Sequence, residues 1–179
     1  MTQASIRSYR SSRQFIETGD LVFFDGPDIL GRAVRLVTGP PTHVGLAAWA
    51  YDRLYIMEMW FRAEQNLFSW RIDHTRAAVS VYTVLCPPEI RKKAVYILSG
   101  WLGQPYDYLG LVGFGLSLLL HREVNLSRNP ERLFCSEAVD MAYGIAGIQL
   151  TDKPPHLVSP HDLASSLRVM KKFDIKGRG

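Results

Sequence analysis

Cysteine is scarce in this sequence, and it has no internal repeat, no low-complexity stretch and no apolar run of membrane-spanning length. Its two cysteines, Cys86 and Cys135, do not form metal-ligand spacing, so we expect free thiols and no metal. The longest apolar run, residues 105–120, is shorter than the roughly 20 residues that cross a bilayer. It predicts a buried helix, with an interfacial segment as the alternative, and no transmembrane segment.

The distribution of charge along the chain limits the classes of binding partner that we expect. The net charge is +4, but much of the excess of Lys and Arg lies in the termini, without aromatic-basic interleaving or a nucleic-acid motif. We interpret these residues as solvated tails and expect no nucleic-acid partner. The first residues contain no apolar signal-peptide region, so we expect a cytoplasmic protein. We divide the chain into a basic N-terminal arm, residues 1–17, and a single domain, residues 18–179.

Hydrophobic periodicity predicts an α+β domain. A strand is expected in TGDLVFFDG, a helix over residues 29–37, and β-rich segments in THVGLAAWA, LYIMEMWF, NLFSWRI and AAVSVYTVL. Only short polar turns separate these segments, which favours an antiparallel meander because parallel neighbours need long crossovers. Four helices are then expected, beginning near Pro87, Asp107, Cys135 and Ser159. Strands followed by helices indicate the α+β class.

Cys135 is the first candidate for chemistry. It begins the helical segment CSEAVDMAYGIA, where unsatisfied backbone N–H groups and the helix dipole stabilise a negative charge by about 0.3–1 kcal/mol. That effect alone is modest, so a nucleophilic thiolate also needs a histidine as ion-pair partner and proton donor. The alternative is a small packed residue at a helix start.

His43 and Glu58 are the candidates that complete such a site. His43 begins an otherwise apolar strand after a GPPT breaker, and Glu58 is the one acidic residue in the apolar strand LYIMEMW. A carboxylate is costly to bury unless it is paired, and neighbouring antiparallel strands would let the two side chains face each other. His161 stays open as a second histidine, and both His43 and Glu58 also have ordinary structural interpretations.

Five ordered segments, GDLVFF, THVGL, YIMEMW, GQPYDYLG and LFCSEAV, resemble the circularly permuted, YiiX-like branch of the NlpC/P60 papain-like hydrolases. In the unpermuted enzymes the cysteine helix precedes the histidine strand, whereas here the order is reversed. The resemblance implies a papain-like fold, with an antiparallel sheet packed against the helix that carries the nucleophile. It implies Cys135 as nucleophile, His43 as general base and acid, Glu58 as orienting residue and Tyr106 at the oxyanion.

The function expected from these residues and this resemblance is hydrolysis of an amide bond through a thioester, without a cofactor. The substrate would be a small peptide or another amide, with a lipid-like one kept open by the apolar run at 109–120. The lecithin:retinol acyltransferase-like branch shares the permuted order but carries an NCEHF-type motif, from which FCSEAV departs. An acyltransferase or thioesterase of that branch and a non-catalytic binding protein remain the alternatives. The sequence does not indicate an oligomeric state.

Overall fold

One seven-stranded sheet organises the structure, a computed structural model that describes residues 6–26, 32, 35–36, 38–120, 122, 124 and 133–176. The strands are β1 (Ile6–Arg7), β2 (Leu21–Asp25), β3 (His43–Ala50), β4 (Arg53–Met59), β5 (Ala63–Leu67), β6 (Ala78–Val84) and β7 (Val169–Ile175). Their spatial order is β1-β7-β6-β2-β3-β4-β5, and the six strands from β7 to β5 pair antiparallel. The short β1 pairs parallel to β7. The α+β prediction with an antiparallel sheet is confirmed.

Six α-helices accompany the sheet in the described part of the chain. They are α1 (Tyr9–Ser12), α2 (Phe68–Asp73), α3 (Pro88–Ser99), α4 (Tyr108–Leu120), α5 (Cys135–Ala146) and α6 (Pro160–Ser165). The last four begin within one residue of the predicted starts, whereas the helix predicted over residues 29–37 lies largely outside the described residues. None of the helices in the described ranges combines the length and apolar character needed to cross a membrane.

The core is divided between the two faces of the sheet because strand side chains alternate in direction. On one face, α3 and α5 pack against each other and cover apolar side chains such as Phe23, Val44 and Leu46. On the other face, Phe68 and Ile72 of α2 join a second apolar cluster. The helix that begins at Cys135 therefore lies on one face, and α2 lies on the opposite one.

The hairpin of β3 and β4 positions two of the candidate residues. Its turn is Tyr51–Asp52, where Tyr51 takes the left-handed conformation with φ of 55°. Pairing continues from Ala50–Arg53 to Gly45–Glu58 and ends there. A Cβ at Gly45 would lie 2.7 Å from the Met57 carbonyl oxygen, so only glycine allows the strands to approach this closely beside Glu58. The predicted hairpin is confirmed.

Two predictions of local structure were wrong. NLFSWRI was expected to be a strand throughout, but β5 ends at Leu67 and α2 follows. Phe68 and Ile72 are four residues apart and both reach the core, a helical spacing that also fits the period-2 pattern of a strand. The strand β7 was not predicted at all; it follows α6 and pairs with β6.

The division of the chain at residue 17 stays a prediction, although part of the arm contacts the sheet. Ile16 is buried in the cluster on the α2 face, and its carbonyl oxygen accepts a hydrogen bond of 2.6 Å from Trp49 Nε1. The guanidinium of Arg13 lies 5.1 Å from the centre of the Trp49 ring. The residues just before position 18 therefore add apolar and cation–π contacts to the domain.

Candidate active site

His43 and Glu58 form a buried pair at the end of the β3–β4 ladder. His43 Nε2 lies 2.8 Å from Glu58 Oε2, and both side chains are almost entirely buried. Gly45 is the ladder partner of Glu58, and His43 precedes Gly45 by two residues in β3. The contact between His43 and Glu58 is therefore diagonal across neighbouring strands. Trp60 contacts the His43 ring edge-on with a centroid distance of 4.9 Å. The ring is therefore fixed by a carboxylate on its Nε2 side and an indole beside it.

Arg71, on α2, completes the environment of Glu58 and was missed by the sequence reasoning. Its Nε donates to Glu58 Oε1 at 2.8 Å, so each carboxylate oxygen has its own cationic partner. The guanidinium also packs over the Phe24 ring at 4.3 Å. Burial acts to raise the pKa of Glu58, but His43 and Arg71 together hold it below its ordinary value. Glu58 is therefore a carboxylate rather than a carboxylic acid.

Cys135 brings its sulfur next to the His43 ring. The thiol and the His43 ring interact through charge and hydrogen bonding. The backbone N–H of Ser136 donates to the sulfur from the first turn of α5. The N–H of Val44, the residue before Gly45 in β3, also donates to the sulfur. The sulfur thus receives donors from both a helix start and a strand end.

The protonation states follow from this arrangement. Burial acts to lower the pKa of His43, but the negative charges of Cys135 and Glu58 outweigh it and raise the pKa to about 9. Burial acts to raise the pKa of Cys135, yet the His43 charge and the backbone donors hold it below its ordinary value. These opposite directions favour transfer of the Cys135 proton to His43, because each charge stabilises the other.

Tyr106 lies against the same sulfur. Its side chain is buried and hydrogen-bonds to Cys135, and burial together with the Cys135 charge raises its pKa well above the ordinary value. The residue is held in place by its backbone, because its N–H donates to the Phe61 carbonyl oxygen at 3.1 Å. Tyr106 is therefore a neutral phenol that can donate a hydrogen bond at the sulfur.

The structure brings all four predicted residues, Cys135, His43, Glu58 and Tyr106, into one cluster. His161, left open as a second histidine, instead has its Nδ1 2.7 Å from the Pro40 carbonyl oxygen. Glu137 lies in the first turn of α5, where its carboxylate accepts a hydrogen bond from the Phe134 N–H. Burial raises its pKa to about 7, and the charge of Asp107 acts in the same direction.

The available donors do not suit a metal ion. No group of three or more His, Cys, Asp and Glu side chains within the described ranges is placed to bind one. His43 has one ring nitrogen on Glu58 and also interacts with Cys135, and both Glu58 oxygens are occupied. A metal at this cluster would have to displace an imidazole, a guanidinium or a thiol from its partner.

Comparisons with known proteins show a structural likeness. No protein-family model matches the chain, and no curated protein matches it by sequence. Among solved structures it is similar to YiiX from Escherichia coli O157:H7, with a TM-score of 0.69, 18% identity, and coverage of 91% of this chain and 98% of that chain. YiiX is described as a metalloprotein, which the donors of the present cluster do not match. At this identity the likeness extends to the fold, and the chain has a YiiX-like fold.

Proposed function

We propose that the chain is a cysteine hydrolase that cleaves amide bonds with Cys135, His43 and Glu58. The observation that carries this proposal is the His43 ring, which contacts the Glu58 carboxylate at 2.8 Å and interacts with the Cys135 sulfur. A nucleophile, a base and a group that orients the base are the three parts that covalent acyl transfer needs. The thiolate at the start of α5 is the nucleophile.

In the first half-reaction the thiolate attacks the carbonyl carbon of the amide, and the carbonyl electron pair moves onto oxygen. The Ser136 N–H and the Tyr106 hydroxyl, which both bond to the sulfur at rest, are donors available to that oxyanion. When the tetrahedral intermediate collapses, the C–N bond breaks and the His43 imidazolium gives its proton to the leaving amine. The acyl group remains on sulfur as a thioester.

In the second half-reaction the neutral His43 removes a proton from water, and the resulting hydroxide attacks the thioester carbon. The C–S bond breaks, the carboxylic acid leaves, and the thiolate–imidazolium pair is restored. Glu58 keeps the same ring orientation in both steps, because Arg71 and Gly45 fix its carboxylate and its backbone. No step needs a group from outside this cluster other than substrate and water.

We infer further that the fold is the circularly permuted NlpC/P60 papain-like type. In the chain His43 precedes Cys135, whereas the cysteine helix comes first in the unpermuted enzymes. A YiiX-like fold and an antiparallel sheet packed against the Cys135 helix support this assignment. The cluster has the same three kinds of group that those enzymes use, arranged in the reverse chain order.

The test is the pH dependence of Cys135 alkylation by iodoacetamide, measured by intact mass in a Cys86→Ser background that leaves one thiol. Cys86 is the partly buried second cysteine, and burial raises its pKa. We expect Cys135 to react well below pH ~8.5, where an ordinary thiol is mostly protonated. His43→Ala should abolish this low-pH reactivity, because it removes the charge that lowers the pKa of Cys135.

The matched control is His161→Ala, which removes a histidine outside the cluster. It should leave the pH profile of Cys135 unchanged. A profile typical of a free thiol in the parent protein, unaffected by His43→Ala, would rule out the ion pair and with it the proposed mechanism. Hydrolysis is then tested with p-nitrophenyl acetate, where rapid acylation followed by slower release is the expected course.

An exposed apolar stripe on α4 favours a second candidate, an acyltransferase or thioesterase acting on lipid-like substrates. Leu109 and Val112 are 55% and 54% exposed, and Leu120 lies on the same helical face. The helix begins two residues after Tyr106, so the stripe starts beside the cluster. Release of free fatty acid from a panel of acyl donors, without cleavage of peptides, would favour this candidate over amide hydrolysis.

A further inference from the structure

A cavity of about 440 Å³ lies on the sheet face opposite α5, where α2 packs against the ends of β3 and β4. His43 and Glu58 line it, whereas Cys135 does not. The cavity is therefore separate from the surroundings of the sulfur, although both share the His43 ring. Its volume falls within the range of roughly 300–1,000 Å³ that small-molecule sites occupy.

Two arginines line the cavity together with the carboxylates of Glu58 and Glu64. Arg71 and Arg76 both line it, and neither Nη group of Arg71 donates a hydrogen bond to any described residue. Within the described ranges Arg76 forms no ion pair. The planar guanidinium of Arg71 is already fixed by its Nε bond to Glu58, so its remaining donors form a pre-oriented fork suited to a carboxylate.

Aromatic rings supply flat apolar walls. Phe24 and Trp60 line the cavity beside Arg71, whose guanidinium lies 4.3 Å and 5.5 Å from the two ring centres. Trp70 is 48% exposed and stacks on His74 with a centroid distance of 4.6 Å. A large exposed ring held in one orientation provides contact area at low cost in conformational entropy.

We propose that this cavity is a binding site for a small aromatic monocarboxylate, whose carboxylate is held by Arg71 and Arg76 and whose ring packs against Trp60 and Trp70. Glu64 also lines the cavity, so a ligand with two or more negative charges would meet repulsion. A neutral ligand of the same shape would leave the guanidinium donors unpaired. The site is thus selective for a single negative charge attached to a flat ring.

Benzoate and benzamide test this proposal, because they have the same shape and differ in charge. Binding to the full chain is measured by isothermal titration calorimetry at one ionic strength. We expect benzoate to bind at least about tenfold more tightly than benzamide, as one charge-assisted contact provides. Arg76→Gln should weaken benzoate binding by about tenfold and leave benzamide binding unchanged. Arg76 is exposed, so its replacement does not threaten folding.

The matched control is Arg53→Gln, which removes an exposed arginine from the outer end of β4. It should leave benzoate binding unchanged. Equal binding of benzoate and benzamide, or equal losses in Arg76→Gln and Arg53→Gln, would overturn the proposal. Trp70→Ala offers an independent check, since loss of the aromatic wall should weaken both ligands.

The proposal does not rest on the proposed hydrolase function. Cys135→Ala should bind benzoate as tightly as the parent protein, because the sulfur does not line the cavity. If Cys135 shows ordinary thiol behaviour but benzoate binding follows Arg76, the site stands without the hydrolase. If the alkylation profile shows the ion pair but benzoate does not bind, the hydrolase stands without the site.

Discussion

Replacing Glu58 with glutamine tests the part of the cluster that does not touch the sulfur. The change preserves shape but leaves one acceptor oxygen where the carboxylate has two. His43 Nε2 and Arg71 Nε, each 2.8 Å from a separate oxygen, would then compete for it. One of the two buried donors must face an amide NH₂ group instead. The negative charge that helps to raise the pKa of His43 is lost at the same time.

The expected magnitude follows from these contacts. A hydrogen bond to a charged group contributes about 1.5–3 kcal/mol and a neutral one about 0.5–1.5 kcal/mol. The imidazolium therefore loses roughly 1–2 kcal/mol of stabilisation, which corresponds to about 5- to 30-fold in the population of the ion pair. With a less favourable cation beside it, Cys135 holds its proton to higher pH. The acid limb of the alkylation profile should move upward in pH.

The measurement is again the rate of Cys135 alkylation in the Cys86→Ser background. At pH 6 the Glu58→Gln rate should fall by about 5- to 30-fold, and at pH 10, where the thiol is ionised in both proteins, the rates should agree within about twofold. Glu64→Gln is the matched control, since Glu64 is the ladder partner of Glu58 on β5. An unchanged rate at pH 6 in Glu58→Gln, or an equal fall in Glu64→Gln, would refute the reasoning.

Three further predictions concern the cluster and its supports. Tyr106→Phe should lower the acylation rate with p-nitrophenyl acetate by about 10²-fold, because the oxyanion loses one of its donors. Burial raises the pKa of Asp140 to about 6, above its unfolded value, so its protonated form favours folding and this contribution is lost as pH rises through 6. Asp140→Asn should therefore be more stable than the parent protein in urea at pH 8, by about 1 kcal/mol, and equal to it at pH 4. Tyr143→Phe leaves the Gly19 carbonyl oxygen without the donor that links α5 to the sheet, and should cost about 1–3 kcal/mol in the same assay.

Local signals in the sequence were sufficient for several elements. Ser159 before Pro160 predicted the start of α6, and the Ser159 side chain does accept from the Asp162 N–H. Gly147, which takes the left-handed conformation that favours glycine at the end of α5, is a local signal of the same kind, although the end of that helix was not predicted. Such signals depend on neighbours within one turn and can be interpreted without the rest of the chain.

Other features depend on distant partners and could not be predicted in this way. β7 forms because β6, far earlier in the chain, offers it an unpaired edge, and its own residues VMKKFDI alternate weakly. Arg71 was missed because it reaches Glu58 from α2, and the segment that forms this helix was predicted to be a strand. The buried Glu58 gave a usable signal: a carboxylate in an apolar strand has two oxygens, and His43 alone satisfies one. The second oxygen could have prompted a search for another cationic residue near Glu58.

The point at which the β3–β4 ladder stops also has a consequence for how the cluster could be lost. Strand side chains alternate, so a slip of one residue in pairing would turn His43 toward the opposite face and carry Val44 into its place. The tight turn at Tyr51–Asp52 fixes that register from the far end of the hairpin. Insertion of a single residue there could leave every member of the cluster in the sequence and still separate the imidazole from the Glu58 carboxylate. The length of a remote turn is thus as much a part of the candidate site as the side chains themselves.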